Sequence, residues 1–74
     1  MNEQQQQIAN QIAEDIAEQV AKMMKTLGEW EDDLEGGAFN LNYADQYHYD
    51  LHMALREIEG LLYEGRREMR RAED

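Results

Sequence analysis

The chain's 74 residues include 17 acidic and 7 basic side chains, a formal charge of −10, and neither cysteine nor proline. That length holds one domain with a thin core, because a single core of this size rarely supplies more than about 3–5 kcal/mol unless it is stapled. Disulfides and thiolate metal sites are excluded, and the acidity argues against nucleic acid or an anionic membrane as a direct partner while favouring a basic protein surface.

Ala, Glu, Gln, Leu, Met and Arg dominate, all good helix formers. Val20 is the only valine and Thr26 the only threonine, so strands are not expected. Met1-Asn2-Glu3 and the four glutamines that follow contain neither a basic nor an apolar segment of the kind a signal peptide needs. Uninterrupted apolar runs reach only two or three residues, too short to span a bilayer, and the expected location is the cytoplasm.

The first element is a helix expected at about 4–27. Ile8, Ile12, Ile16 and Val20 recur four residues apart, and Met23 and Leu27 continue the row. Ala9, Ala13 and Met24 widen it to an apolar stripe about 160° across. Glu14, Glu18, Lys22 and Lys25 lie opposite, with Glu18 four residues before Lys22 as a favourable pair. Gly28 is the expected stop.

Residues 28–41 then read as an acidic hinge, in which 29–35 form either a short helix or a loop. Five of its seven residues are carboxylates: Glu29, Glu31, Asp32, Asp33 and Glu35. Trp30 and Leu34 are interleaved. If helical, the stretch extends ~10 Å, a charge about every 2 Å, against one per ~1.7 Å along duplex DNA. Locally it can imitate a phosphate backbone, with Trp30 as an anchor of the kind found at binding hot spots. The alternative is a solvated acidic segment whose Trp30 and Leu34 close the core. Phe39 and Leu41 are expected to tuck under the hairpin. The spacing does not fit a calcium loop, because Leu34 and Asn40 stand where glycine and glutamate are required.

The last element is a helix expected at about 42–72, capped by Asn42. Its stripe contains Tyr43, Tyr47, Leu51, Ala54, Leu55, Ile58, Leu61, Leu62, Met69 and Ala72, all within about 120°. Arg66, Arg67, Arg70 and Arg71 suit the negative end of its dipole. Gly65 falls on the stripe and offers close approach to the other helix, whereas Gly60 falls outside it. Tyr49, Met53 and Tyr63 gather on the opposite face, as a secondary contact surface or as a patch covered by the hinge. His48 and His52 have metal-sharing spacing, but no third ligand stands in place, so no metal and no cofactor is expected.

The fold class is therefore all-α: an antiparallel hairpin of two long helices with a short acidic helix or loop between them. Two helices facing each other cover only part of two such wide stripes, so a homodimeric bundle or a partner must cover the rest. No serine or cysteine nucleophile and no phosphate-binding loop is present, and a hairpin this thin offers no enclosed pocket, so an enzyme is not expected.

Small size, acidity and helicity together make the chain resemble the acidic helical anti-CRISPR proteins of phages. The resemblance is one of general character over the whole chain and transfers no residue. It implies a stoichiometric inhibitor that occupies a basic nucleic-acid channel on a CRISPR effector and excludes target DNA. The expected contacts, from the residues themselves, are Glu29, Glu31, Asp32, Asp33 and Glu35 around Trp30, with Tyr49 and Tyr63 secondary. The competing expectation is a structural or regulatory hairpin, adaptor or antitoxin-like, that dimerises into a four-helix bundle.

Overall fold

A computed structural model describes residues 2–37 and 39–73. Ala38, within the expected hinge, and Met1 and Asp74 at the ends lie outside the described residues. Two helices, α1 (Glu3–Glu35) and α2 (Leu41–Ala72), pack against each other as a hairpin 56 Å long and 15 by 10 Å across. The expected fold class is the one observed.

The bounds differ from expectation in one important place. α1 does not stop at Gly28 but continues to Glu35, so the acidic stretch is the last two turns of the same helix. Gly28 faces open space, where it costs the helix roughly 1 kcal/mol relative to alanine. Continuing past it brings Trp30 onto Tyr47 and Asp33 onto the Tyr47 hydroxyl, and those contacts outweigh that cost. Gly36 and Gly37 make the actual stop, Gly37 at φ 73°, a left-handed conformation that glycine adopts without strain.

Both helix starts are capped. Asn2 and Gln5 form a reciprocal capping box: the Gln5 backbone N–H donates to Asn2 Oδ1 at 2.7 Å, and the Asn2 backbone N–H donates to Gln5 Oε1 at 3.1 Å. The same two side chains reach across the hairpin. Asn2 Nδ2 donates to the Ala72 carbonyl at 3.1 Å and Gln5 Nε2 to the Met69 carbonyl at 3.3 Å. Carbonyls in the last turn of a helix have no partner within it, so the start of α1 satisfies the end of α2. At the other end Asn40, not Asn42, is the cap. Its extended backbone lets its Oδ1 accept from the Asn42 N–H at 2.8 Å, which makes Leu41 the first helical residue.

The seam between the helices follows a seven-residue repeat. Half-buried positions on α1 step by four and three: Gln5, Ala9, Ile12, Ile16, Gln19, Met23, Thr26, Trp30 and Asp33. On α2 the corresponding line is Ala44, Tyr47, Leu51, Ala54, Ile58, Leu61, Gly65, Met69 and Ala72, half-buried or buried. The steps of three and four alternate except at Leu61, Gly65 and Met69, where two fours follow each other, and such spacing is the signature of knobs-into-holes packing at a small crossing angle. Small residues bring the backbones close. A Cβ at Gly65 would stand 3.2 Å from Ile12 Cγ1, so Ile12 packs directly onto the glycine backbone.

The core is correspondingly thin. Among the described residues the buried apolar side chains are only those of Ala54 and Ala72. Phe39 and Leu41, expected beneath the hairpin, are instead 53% and 72% exposed. They belong to the turn and the first residue of α2, beyond the last seam position of α1 that could cover them.

Candidate functional site

The loop end of the hairpin is the most strongly charged part of the molecule. Between Glu29 and Asp45 lie six carboxylates and no basic side chain. Helical continuity of α1 fixes where they point. Glu31, Asp32 and Glu35 are related by three- and four-residue steps, so they neighbour one another on the side of α1 turned away from α2. Glu29 lies on a flank. All four are exposed.

Asp33 and Trp30 are placed differently. Both are half-buried seam residues. The Trp30 and Tyr47 rings stack with centroids 5.8 Å apart and planes 30° apart, and Tyr47 Oη donates to Asp33 Oδ2 at 2.8 Å. Asp33 thereby closes the seam where it would otherwise open at the acidic end. The bond to its carboxylate pushes the Tyr47 phenol up to about 12, helped by burial and by the charges of Asp33 and Glu29. Trp30 Nε1 is buried without a hydrogen-bond partner. Trp30 therefore packs as a strut under the acidic turns, while Leu34 stays exposed.

This acid is costly to the fold. The negative end of the α1 dipole coincides with the carboxylates, and its last turn has no basic residue. Each such charge costs roughly 0.3–1 kcal/mol at a helix C-terminus, and like charges three or four residues apart add a few tenths. α2 ends the opposite way, with Arg70 and Arg71 complementing its dipole.

Tyr49, Met53 and Tyr63 are exposed on α2, and neither Trp30 nor Phe39 covers them. Tyr49 and Met53 border a shallow polar groove with Lys22, Thr26 and Glu57, whereas Tyr63 lies farther along, under the Arg67 guanidinium at 6.0 Å from its ring centroid. The two tyrosines thus do not form one patch. The His48 and His52 rings stack at 6.3 Å, and no group of three or more potential metal ligands occurs among the described residues.

Part of the two apolar stripes is left uncovered, as expected from their width, and it gathers on one side of the seam. Ala13 and Leu62 line the same apolar groove, of about 460 Å³, together with Ala9, Ile16 and Met69. The seven-residue repeat extends that side of the seam from Ala13 to Val20, Leu27 and Leu34 on α1, and from Leu62 back to Leu55, His48 and Leu41 on α2. Val20, Leu27 and Leu34 are 41%, 48% and 53% exposed, and Leu55 and Leu62 53% and 42%. One broad side of the hairpin is apolar along most of its length, interrupted by His48. The other side of the seam carries Asp15, Lys22 and Glu29 against Asp50, Glu57 and Glu64. The repeats at 13, 20, 27, 34 and at 41, 48, 55, 62, 69 are visible in the sequence and would have revealed this side.

No protein family, curated protein or solved structure matches this chain. No described helix is long and apolar enough to cross a membrane.

Proposed function

We propose that this protein is a stoichiometric inhibitor whose acidic tip seats in the basic nucleic-acid-binding cleft of another protein, acting in the cytoplasm and without catalysis of its own. The observation that carries this is the placement of Glu31, Asp32 and Glu35 as exposed neighbours at the C-terminal end of α1, where they destabilise the helix. Charge held at a cost to the fold calls for a purpose outside it. A groove built to follow phosphates supplies the complement: its arginines and lysines attract the tip at long range, and the attraction weakens as salt rises. The general likeness to acidic anti-CRISPR proteins makes the cleft of a CRISPR effector the target to test, with exclusion of target DNA as the consequence. Trp30 stiffens the tip from below, and Tyr49 is the better placed of the two tyrosines for a secondary contact.

The test is a variant that reverses Glu31, Asp32 and Glu35 to lysine and keeps Asp33, which holds Tyr47. Capture of wild type but not variant by a bacterial lysate protein, with helicity equal in both, is the expected result. Equal capture of both overturns the role of the tip.

The exposed apolar side favours a second activity of the same chain, self-association into a four-helix bundle. It is compatible with inhibition, since the acidic residues Asp32 and Glu35 lie away from that side.

A further inference from the structure

We infer that two copies of this chain pack apolar side to apolar side with their long axes reversed, so that the dimer presents one acidic tip at each end. The arrangement rests on the self-association proposed above and is independent of what the tips bind.

Area is the first ground. A side 56 by 15 Å measures roughly 800 Å², the amount each partner contributes to a standard stable interface. The composition is that of a core and not of a surface: Val20, Leu27, Leu55 and Leu62 stand at the middle and flanks of this side, and among the described residues no large side chain is completely buried. A second copy would supply the missing layer and convert the two-helix seam into a four-helix core.

Charge decides the direction. The loop end has six carboxylates between Glu29 and Asp45 with no basic partner, whereas the described residues of the opposite end balance Arg66, Arg67, Arg70 and Arg71 against Glu3, Glu64, Glu68 and Glu73. Copies packed in the same direction would bring the two acidic ends together. Reversed copies set each acidic end beside the arginine-bearing end of the other. Asp45 and Arg66 occupy equivalent places in the repeat, on the same shoulder of the apolar side. They stand near opposite ends of α2, so reversal brings Asp45 of each copy close to Arg66 of the other. A two-fold axis across the middle of the hairpin satisfies both contacts at once, as a self-complementary interface requires.

The experiment has three arms on the full chain. Sedimentation at micromolar concentration should give twice the 8.7 kDa chain mass. A strict monomer of full helicity overturns the dimer altogether. Because the chain has no cysteine, Glu35→Cys allows a single spin label at the loop end. Label separations close to the 56 Å hairpin length support reversed packing, and separations of one or two helix diameters overturn it while leaving the dimer standing. Finally, Leu55→Lys should weaken the dimer at least a hundredfold. Should that variant fail to fold, the charge swap replaces it: Asp45→Arg and Arg66→Asp each weaken association severalfold, and the two together restore it. Singles and double that associate like the wild type overturn the Asp45–Arg66 juxtaposition.

Discussion

Gly65→Ala probes the seam where the two backbones come closest. The added Cβ would lie 3.2 Å from Ile12 Cγ1, 3.5 Å from Cδ1 and 3.7 Å from Cγ2. Replacing a mid-helix glycine contributes roughly 1 kcal/mol of helix propensity. Against this, forcing a methyl into a filled contact costs typically 1–3 kcal/mol, because Cγ1 is near the Ile12 backbone and moves only if the helices part. The net expectation is a loss of up to about 2 kcal/mol. Gly60, where a Cβ would meet nothing, serves as the control and should gain about 1 kcal/mol as alanine. In an Ile12→Ala background the crowding disappears, and Gly65→Ala should then stabilise as Gly60→Ala does. The coupling between positions 12 and 65 is thus about 1–3 kcal/mol. Urea unfolding followed by helical circular dichroism, at one fixed protomer concentration because self-association adds to apparent stability, reads all of these. Equal stabilisation by alanine at 60 and at 65 in the wild-type background would refute the packing of Ile12 on Gly65.

Three further outcomes follow from the two ends of the hairpin. Tyr47 should ionise near pH 12 in a phenolate absorbance titration of the native protein, and its value should fall back with Asp33→Ala. The sign follows from its raised value: the folded state favours the neutral phenol, so this contribution is complete below the ordinary tyrosine value near 10 and is lost as pH rises from there to about 12. Asn2→Ala removes both the α1 cap and the bond to the Ala72 carbonyl, and should cost about 1–2 kcal/mol in the same urea assay. Trp30→Phe keeps a ring against Tyr47 and removes an indole N–H that has no partner, so it should cost less than about 1 kcal/mol. Trp30→Ala should cost about 2 kcal/mol, short of a fully buried tryptophan because the residue is half-buried.

The hairpin, both long helices and the role of Gly65 were legible in the sequence because apolar spacing and helix propensity agree over long stretches. The exact seam was not. A wheel at 3.6 residues per turn gathers Val20, Leu27 and the isoleucines into one stripe, but a strict seven-residue repeat drifts about 20° per heptad against that wheel. Across α1 the drift carries the seam from Ala9 and Ile12 to Thr26, Trp30 and Asp33, and leaves Val20, Leu27 and Leu34 beside it. Polar seam residues such as Gln19 and Thr26 hid the repeat from a search for apolar positions. Gly28 misled for a local reason: it has the propensity of a stop, but the stop is made by Gly36 and Gly37, after Trp30 and Asp33 have reached Tyr47. Asn40 and Asn42 are both competent caps by type, and the choice between them depends on backbone angles that composition does not encode. At the tip, the concentration of acid was plain from the sequence. That Asp33 turns inward while Glu31, Asp32 and Glu35 remain outside depends on their angular positions around a helix that continues to residue 35.

Exposed negative charge at the loop end, held against the helix dipole, is what the proposed inhibition depends on. Its most direct measurement is target-DNA binding by a panel of guide-loaded CRISPR effectors, titrated with the wild-type protein and with the variant in which Glu31, Asp32 and Glu35 are lysine. The account predicts that the wild type displaces DNA from at least one effector, less well at high salt, and that the variant does not. Displacement by both proteins alike, or by neither from any effector of the panel, would contradict it.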